Sequence, residues 1–109
     1  MYTSTFIFQS KHYDDEFHRL NDEIAERARK ISGFLGEEGW ENPATGLHSE
    51  VYYWESLEAL HQLIGMDTHR DAKRLHERWI GSYRIVIAQV LSEYGEKGLA
   101  LEHIPTTSG

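Results

Sequence analysis

Three segments of this sequence have the composition of β-strands and carry bulky apolar side chains on both faces. In residues 3–9, Phe6 and Phe8 lie on one face and Ile7 on the other, because side chains alternate along a strand. The other two segments are residues 48–54 and the apolar run 85–88. A sheet of such strands needs an apolar cover on each face, and the helices of one short chain cover only one of them. The pattern therefore predicts a homodimer in which two sheets pack face to face with two-fold symmetry.

A long amphipathic helix is predicted between the first two strands. Asp14 or Asp15 can cap its start, and Gly33 ends it. Its apolar positions, three or four residues apart, are Phe17, Leu20, Ile24, Ala28 and Ile31. The opposite side of the helix is charged, which is typical of a face in contact with water.

The rest of the chain supplies a hairpin, two shorter helices and a last strand. The turn residues 41–46 separate strands predicted over residues 34–40 and 48–54. The remaining predicted elements are a helix over residues 57–64 with Ser56 as its N-cap and Gly65 at its end, a helix over residues 69–80, and a strand over residues 83–94. This order is typical of an α+β, ferredoxin-like split βαβ fold with an antiparallel sheet. We expect one domain over residues 1–94, followed by a tail over residues 95–109.

Charge and cysteine content exclude several classes of protein. The 109 residues include 18 acidic and 11 basic side chains, a formal charge of −7 at pH 7, with no Lys- or Arg-rich segment. We therefore expect neither nucleic acid nor an anionic membrane as a partner. The absence of cysteine from the sequence excludes disulfides, thiolate nucleophiles and iron–sulfur clusters. Because no targeting signal is evident and no window approaches the roughly 18 apolar residues of a membrane helix, we expect a soluble, cytoplasmic protein.

Four short motifs stand at characteristic distances along residues 3–94. They are Gly33-Phe34-Leu35-Gly36, Tyr53-Trp54-Glu55-Ser56, His69-Arg70-Asp71-Ala72, and the segment from Trp79 to Tyr83. In sequence and in spacing this set resembles bacterial members of the antibiotic biosynthesis monooxygenase family. The resemblance implies a ferredoxin-like protomer, a dimeric α+β barrel, and a pocket between the sheet and the helices of each subunit.

Members of this fold differ in activity, and the resemblance favours one of them. The quinone-forming oxygenases have a Trp at the end of a strand that lines the substrate pocket, which implies that role for Trp54. Two other pocket positions of those enzymes fall near Glu50 and Leu60. The resemblance would predict an amide and a tyrosine at these positions, so the sequence departs from the quinone-forming enzymes at both. In the haem-degrading members the Trp and the haem-binding His align with Leu63 and Lys73. The haem ligand is therefore missing, and haem degradation is the less favoured alternative.

Strand alternation assigns candidate site residues to one face. Glu50, Tyr52 and Trp54 share a face of their strand, which we assign to the pocket under the helices. A Glu facing an apolar cavity has its pKa raised by desolvation, which suits a general base, and Trp54 would hold a phenolic ring by stacking. His69 is a second candidate base. The other predicted pocket residues are Leu60, Leu63, Lys73, Trp79 and Tyr83. The competing interpretations are an edge-exposed Glu50 carboxylate, plain core packing of Trp54 and a capping role for His69.

Neither a metal ion nor a cofactor is expected. His69 and His76 form the best-placed histidine pair, yet two helical turns place them about 10 Å apart along the axis. The sequence thus predicts a cofactor-independent monooxygenase that oxidises a small phenolic or quinol-like aromatic of the polyketide type with O2. The alternatives are a non-catalytic dimer that binds a small apolar ligand, and a protein whose own side chains fill the pocket. A cavity below roughly 300 Å³ would favour the last of these.

Overall fold

The computed structural model describes residues 1–10, 15–65 and 80–96, and within these residues it contains four strands and two helices. These elements are β1 (Tyr2–Ser10), α1 (Asp15–Arg29), β2 (Phe34–Asn42), β3 (Leu47–Trp54), α2 (Leu57–Ile64) and β4 (Ile80–Gln89). All strand pairs are antiparallel, and the strand order in the sheet is β2-β3-β1-β4. The predicted α+β, ferredoxin-like fold class is confirmed.

The strand register divides the sheet into two faces. Phe6 of β1, for example, lies opposite Glu50 of β3 and Ile85 of β4, and residues directly opposite each other point to the same side. The helix-side face, against which α1 and α2 pack, comprises Tyr2, Ser4, Phe6, Phe8, Phe34, Glu37, Gly39, Glu41, His48, Glu50, Tyr52, Trp54, Tyr83, Ile85 and Ile87. The outer face comprises Thr3, Thr5, Ile7, Glu38, Trp40, Leu47, Ser49, Val51, Tyr53, Arg84, Val86 and Ala88. The structure therefore confirms that apolar side chains occupy both faces.

Helix α2 has the bounds that its capping residues predict. The Ser56 hydroxyl accepts a hydrogen bond of 3.2 Å from the backbone N–H of Ala59, one of the donors that a helix start leaves without a partner. At the other end, the N–H of Gly65 donates to the carbonyl of His61 at 3.1 Å. The apolar side of the helix then places Ala59, Leu60 and Leu63 in the core.

The linker from α1 to β2 contacts the start of α2. Gly33 has a φ of +98°, a conformation that glycine adopts without the strain that a Cβ would add. Its carbonyl accepts a hydrogen bond of 2.7 Å from the N–H of Glu55, which follows β3. The α1–β2 and β3–α2 connections are thereby joined next to Trp54, which is fully buried in the core.

The sequence prediction of the last strand was wrong at both ends. Ile80, predicted to end a helix, is the first residue of β4 and pairs with Ser10 of β1. The strand ends at Gln89 rather than at Tyr94; Gln89 lies opposite Tyr2 of β1, and the N–H of the next residue, Val90, donates to the Met1 carbonyl. The remainder of the predicted helix over residues 69–80 lies outside the described residues. The division into a domain over residues 1–94 and a tail over 95–109 stays a prediction.

Candidate functional site

Trp54, the last residue of β3, has no exposed surface. Its indole Nε1 donates a hydrogen bond of 3.0 Å to the Ser4 hydroxyl on β1, which pairs the polar atom of a buried ring. Leu60 is also fully buried, and Leu63 is 3% exposed. The structure brings these three predicted pocket residues together in one packed cluster with Ala28 and Ala59. Their part in lining a substrate pocket stays a prediction.

Tyr52 extends this cluster along β3. Its ring centroid lies 6.2 Å from that of Trp54, edge to face, and Phe34 contacts Trp54 in the same manner at 5.6 Å. Burial of the phenol raises the pKa of Tyr52, and the nearby carboxylates of Glu37 and Glu50 raise it further. Tyr52 therefore stays protonated and is available as a hydrogen-bond donor at neutral pH.

Glu50 lies on the same face as Tyr52 and is half-buried. Its cross-strand neighbours are Phe6 on β1 and Gly39 on β2. The carboxylate lies over Gly39, so that a Cβ at position 39 would stand 3.2 Å from Oε2 and 3.3 Å from Oε1. Desolvation by burial raises the pKa of Glu50, and the negative charge of Glu37 adds to this. A half-buried carboxyl group with a raised pKa has the properties of a general base.

A second carboxylate, that of Glu37, completes the polar part of the site. Glu37 lies opposite Tyr52 in the register of β2 with β3, and only 19% of its side chain is exposed. Arg29, at the end of α1, binds the Glu37 Oε1 atom through both Nε, at 3.0 Å, and Nη2. This contact raises the pKa of the Arg29 guanidinium. The sequence analysis did not identify Glu37, Arg29, Gly39 or Ser4.

An aromatic surface continues from Glu50 toward β4 on the helix side of the sheet. Phe6 lies 5.0 Å from Phe8 and 5.5 Å from Tyr83 between ring centroids, and Phe8 stacks on His48 at 5.4 Å. Tyr83 is 40% exposed, whereas Phe8 is 6% exposed. The structure thus places Tyr83, a predicted pocket residue, at the β4 end of a row of rings that begins beside Glu50.

A groove of about 190 Å³ occurs on the other side of the sheet. It is lined by Ile7, Leu47, Ser82, Tyr83 and Arg84, most of which belong to the outer face. This groove is not the predicted pocket, because Glu50 and Trp54 face away from it. Three residues of that prediction, His69, Lys73 and Trp79, lie outside the part of the chain that the structure describes.

Two features do not occur among the described residues. Across residues 1–10, 15–65 and 80–96, no three His, Asp or Glu side chains are grouped in a way that could hold a metal ion. Neither α1 nor α2, the helices described, is long and apolar enough to cross a membrane.

Comparison with solved structures shows which class of protein has this fold. No protein-family model and no curated protein matches the sequence. The structure is similar to that of Rv0793 from Mycobacterium tuberculosis, with a TM-score of 0.72, 14% identity, and coverage of 86% of this chain and 98% of that one. It is similar to an antibiotic biosynthesis monooxygenase, with a TM-score of 0.68, 15% identity, and coverage of 84% and 100%. It also resembles SnoaB, a cofactor-independent oxygenase from Streptomyces nogalater, with a TM-score of 0.71, 10% identity, and coverage of 87% and 97%.

These similarities extend over nearly the whole length of each solved structure. The chain therefore has the fold of the antibiotic biosynthesis monooxygenases, as its sequence motifs indicated. At identities of 10 to 15%, the similarity defines the fold and leaves the substrate and the activity to the residues of the site.

Proposed function

We propose that this protein is a cofactor-independent monooxygenase that oxidises a small phenolic or quinol-like aromatic of the polyketide type with O2. The observation that carries the proposal is the half-buried Glu50 carboxylate, which lies beside Phe6 and Tyr52 and has a raised pKa. Such a group can take a proton from an acidic phenol or from an activated CH2 group in an aromatic surrounding. The fold similarity to a cofactor-independent oxygenase supports this class of reaction.

The proposed reaction balances without any other reductant. Glu50 accepts a proton from the substrate, and the electron-rich substrate anion transfers one electron to O2. Superoxide and the substrate radical then combine to form a C–O bond, giving a hydroperoxide once a proton is returned. Loss of water converts the original CH2 group into a C=O group, so that one oxygen atom enters the product and the other leaves as water. Tyr52, which stays protonated, would donate a hydrogen bond to the substrate oxygen.

The second candidate function is a non-catalytic dimer that binds a small apolar ligand. The complete burial of Trp54 and Leu60, two residues expected to line an open pocket, counts against direct stacking of a substrate on Trp54. A Trp with no accessible face can stack on a substrate only if the core rearranges around it. The same burial also favours the alternative in which the protein fills this space with its own side chains.

The test is oxygen uptake by metal-stripped protein with a panel of anthrones, quinols and flavonols. We expect uptake together with a quinone product, and a loss of roughly 10²-fold or more in Glu50→Gln, because that variant removes the base while keeping the size of the side chain. Glu41→Gln is the matched control, since Glu41 on β2 is an exposed carboxylate on the same face of the sheet as Glu50. Unchanged turnover in Glu50→Gln would exclude Glu50 as the base. Ligand binding without oxygen uptake across the panel would favour the binding protein, and haem turnover with a reductant would favour haem degradation.

A homodimer is part of the proposal. The outer face carries Ile7, Val51 and Tyr53 on the inner strands and the exposed Trp40 and Val86 on the edge strands. A second copy, related by a two-fold axis, would cover this face with the same set of side chains. The apolar character of the face supports this arrangement.

A further inference from the structure

The titratable and charged groups around Glu50 come from three elements of the described chain. On β2 they are Glu37 and Glu41, on β3 His48 and Tyr52, and on α1 Arg29, while the β1 neighbour Phe6 is uncharged. Glu41 is exposed, so water screens its charge. Glu37 is largely buried and lies diagonally across the β2–β3 pair from Glu50. Glu37 is therefore the charged group with the strongest influence on Glu50.

On the helix side of β2 the residue next to Glu37 is Gly39, which lies opposite Glu50. A larger residue at this position would push the Glu50 carboxylate away, since even a Cβ would stand 3.2 Å from Oε2. The position of Glu37 is fixed in turn by a two-point contact, in which Nε and Nη2 of Arg29 both donate to Oε1. Two donors on one oxygen hold that oxygen atom in place, and with it the carboxylate of Glu37.

We propose that Arg29 and Glu37 are positioning residues that act on Glu50 in opposite directions: the Glu37 carboxylate, on the helix side of the sheet, opposes a second negative charge at Glu50, and the Arg29 guanidinium bound to Glu37 offsets part of that effect. A base of this kind retains its proton more readily after it has taken it from a substrate, and so can return it in the later step. This inference rests on the proposed function for its role in a reaction. The electrostatic arrangement itself is a property of the resting protein and can be measured without a substrate.

The experiment is a titration of the Glu50 side-chain carboxyl carbon by ¹³C NMR in the full chain. Glu37→Gln removes the opposing charge, so the Glu50 titration midpoint is expected to fall. Arg29→Gln removes the group that partly neutralises Glu37, so the midpoint is expected to rise. Lys30→Gln is the matched control, because it removes the same charge one residue later in an exposed pair with Glu26, and should leave the midpoint unchanged. Arg29→Lys, which restores the positive charge, should return the midpoint toward its original value.

The opposite directions of the two shifts separate this role from a merely structural one. Loss of structure around the site would move Glu50 in the same direction in both variants, and that result would overturn the proposal. An equal shift in Lys30→Gln and Arg29→Gln would also overturn it. Glu37→Gln and Arg29→Gln keep the approximate size of the side chain and the Arg29 side chain is itself 45% exposed, so both variants are expected to remain folded.

Kinetics then distinguish this inference from the proposed function. If the protein is an oxygenase, the pH midpoint of kcat/KM should move with the NMR midpoint in each variant. Opposite NMR shifts in a protein that consumes no oxygen would support the electrostatic arrangement while counting against the oxygenase. Oxygen uptake that depends on Glu50, combined with an NMR midpoint that neither variant moves, would support the oxygenase and overturn the role of Arg29 and Glu37.

Discussion

At the scale of single residues, Glu50 links the chemistry of the site to the stability of the fold. Burial raises its pKa in the folded protein above that of the unfolded chain. Between these two pKa values the folded state binds more protons than the unfolded state, so the free energy of unfolding falls as pH rises. The stabilisation that comes from the raised pKa of Glu50 is fully present below the ordinary carboxyl pKa of about 4.3. It is lost as pH rises through the pKa of Glu50 in the folded protein.

We therefore predict that Glu50→Gln is more stable than the parent protein at neutral pH. The gain should shrink as pH falls toward 4, because a neutral amide resembles the protonated carboxyl group that the folded state prefers. Urea unfolding at a series of pH values measures the difference in the free energy of unfolding between Glu50→Gln and the parent, with Glu41→Gln as the exposed control. A Glu50→Gln variant that is less stable than the parent at neutral pH would show that the ionised carboxylate makes favourable contacts in the fold.

The residue scale also shows what the sequence could and could not predict about the site. Strand alternation correctly placed Glu50, Tyr52 and Trp54 on the helix side. The same rule fails in β2, because a register shift between Phe34 and Gly36 inserts one extra residue. Strict alternation from Phe34 would have put Gly36 opposite Tyr52 and Glu38 opposite Glu50, whereas the shift puts Glu37 and Gly39 there. Glu37 and Gly39 were missed because a bulge depends on pairing between strands, which the local pattern does not contain.

At the scale of elements, the connection between α1 and β2 depends on two properties of Gly33. Its φ is +98°, and a Cβ at this position would stand 2.9 Å from the Cβ of Ala59 on α2. Gly46, in the turn between β2 and β3, also has a positive φ, +73°, but no atom would lie within 4 Å of its Cβ. The two glycines therefore share the backbone requirement and differ in packing.

We predict that both Gly→Ala variants are destabilised, and Gly33→Ala by the larger amount. The backbone strain should cost about 1–2 kcal/mol at either position, as for other L-residues in the left-handed region. At Gly33 the added methyl group would also press against Ala59, and such overpacking typically costs about 1–3 kcal/mol more. Unfolding by urea measures both free energies on the same scale. Equal losses in the two variants would mean that α2 moves away from the linker without cost.

Helix α2 and strand β4 show why some element boundaries are predictable. The ends of α2 are fixed by local contacts, the Ser56 hydroxyl with the Ala59 N–H and the Gly65 N–H with the His61 carbonyl, so the sequence alone predicts them. The ends of β4 are fixed by pairing with β1, some 70 residues or more away in sequence, from Ser10 opposite Ile80 to Tyr2 opposite Gln89. Local hydrophobic patterns do not encode where a distant partner strand begins and ends.

At the scale of the whole molecule, the sheet has one face covered by α1 and α2 and one without such a cover among the described residues. Val86 is 39% exposed, Leu47 38% and Trp40 64%, and all three belong to the outer face. Large apolar side chains on one continuous face of a sheet are typical of a surface that another layer covers. The chain's charge of −7 is compatible with such a cover, because the inner strands β1 and β3 place few charged side chains on the outer face.

We predict that the protein sediments as a homodimer and that Val86→Glu shifts it toward the monomer. Two-fold symmetry places Val86 of both protomers in the same interface, so one substitution introduces two buried carboxylates that lack partners, and their desolvation opposes association. The matched control is Leu57→Glu, because Leu57 is similarly exposed, at 40%, but lies in the first turn of α2, away from the outer face. Sedimentation equilibrium over a range of concentrations gives the dissociation constant for each variant. A parent protein that is monomeric at all concentrations, or a Val86→Glu variant that dimerises as tightly as Leu57→Glu, would exclude packing of the two sheets through this face. In that case the apolar side chains of the outer face would need another cover within the same chain.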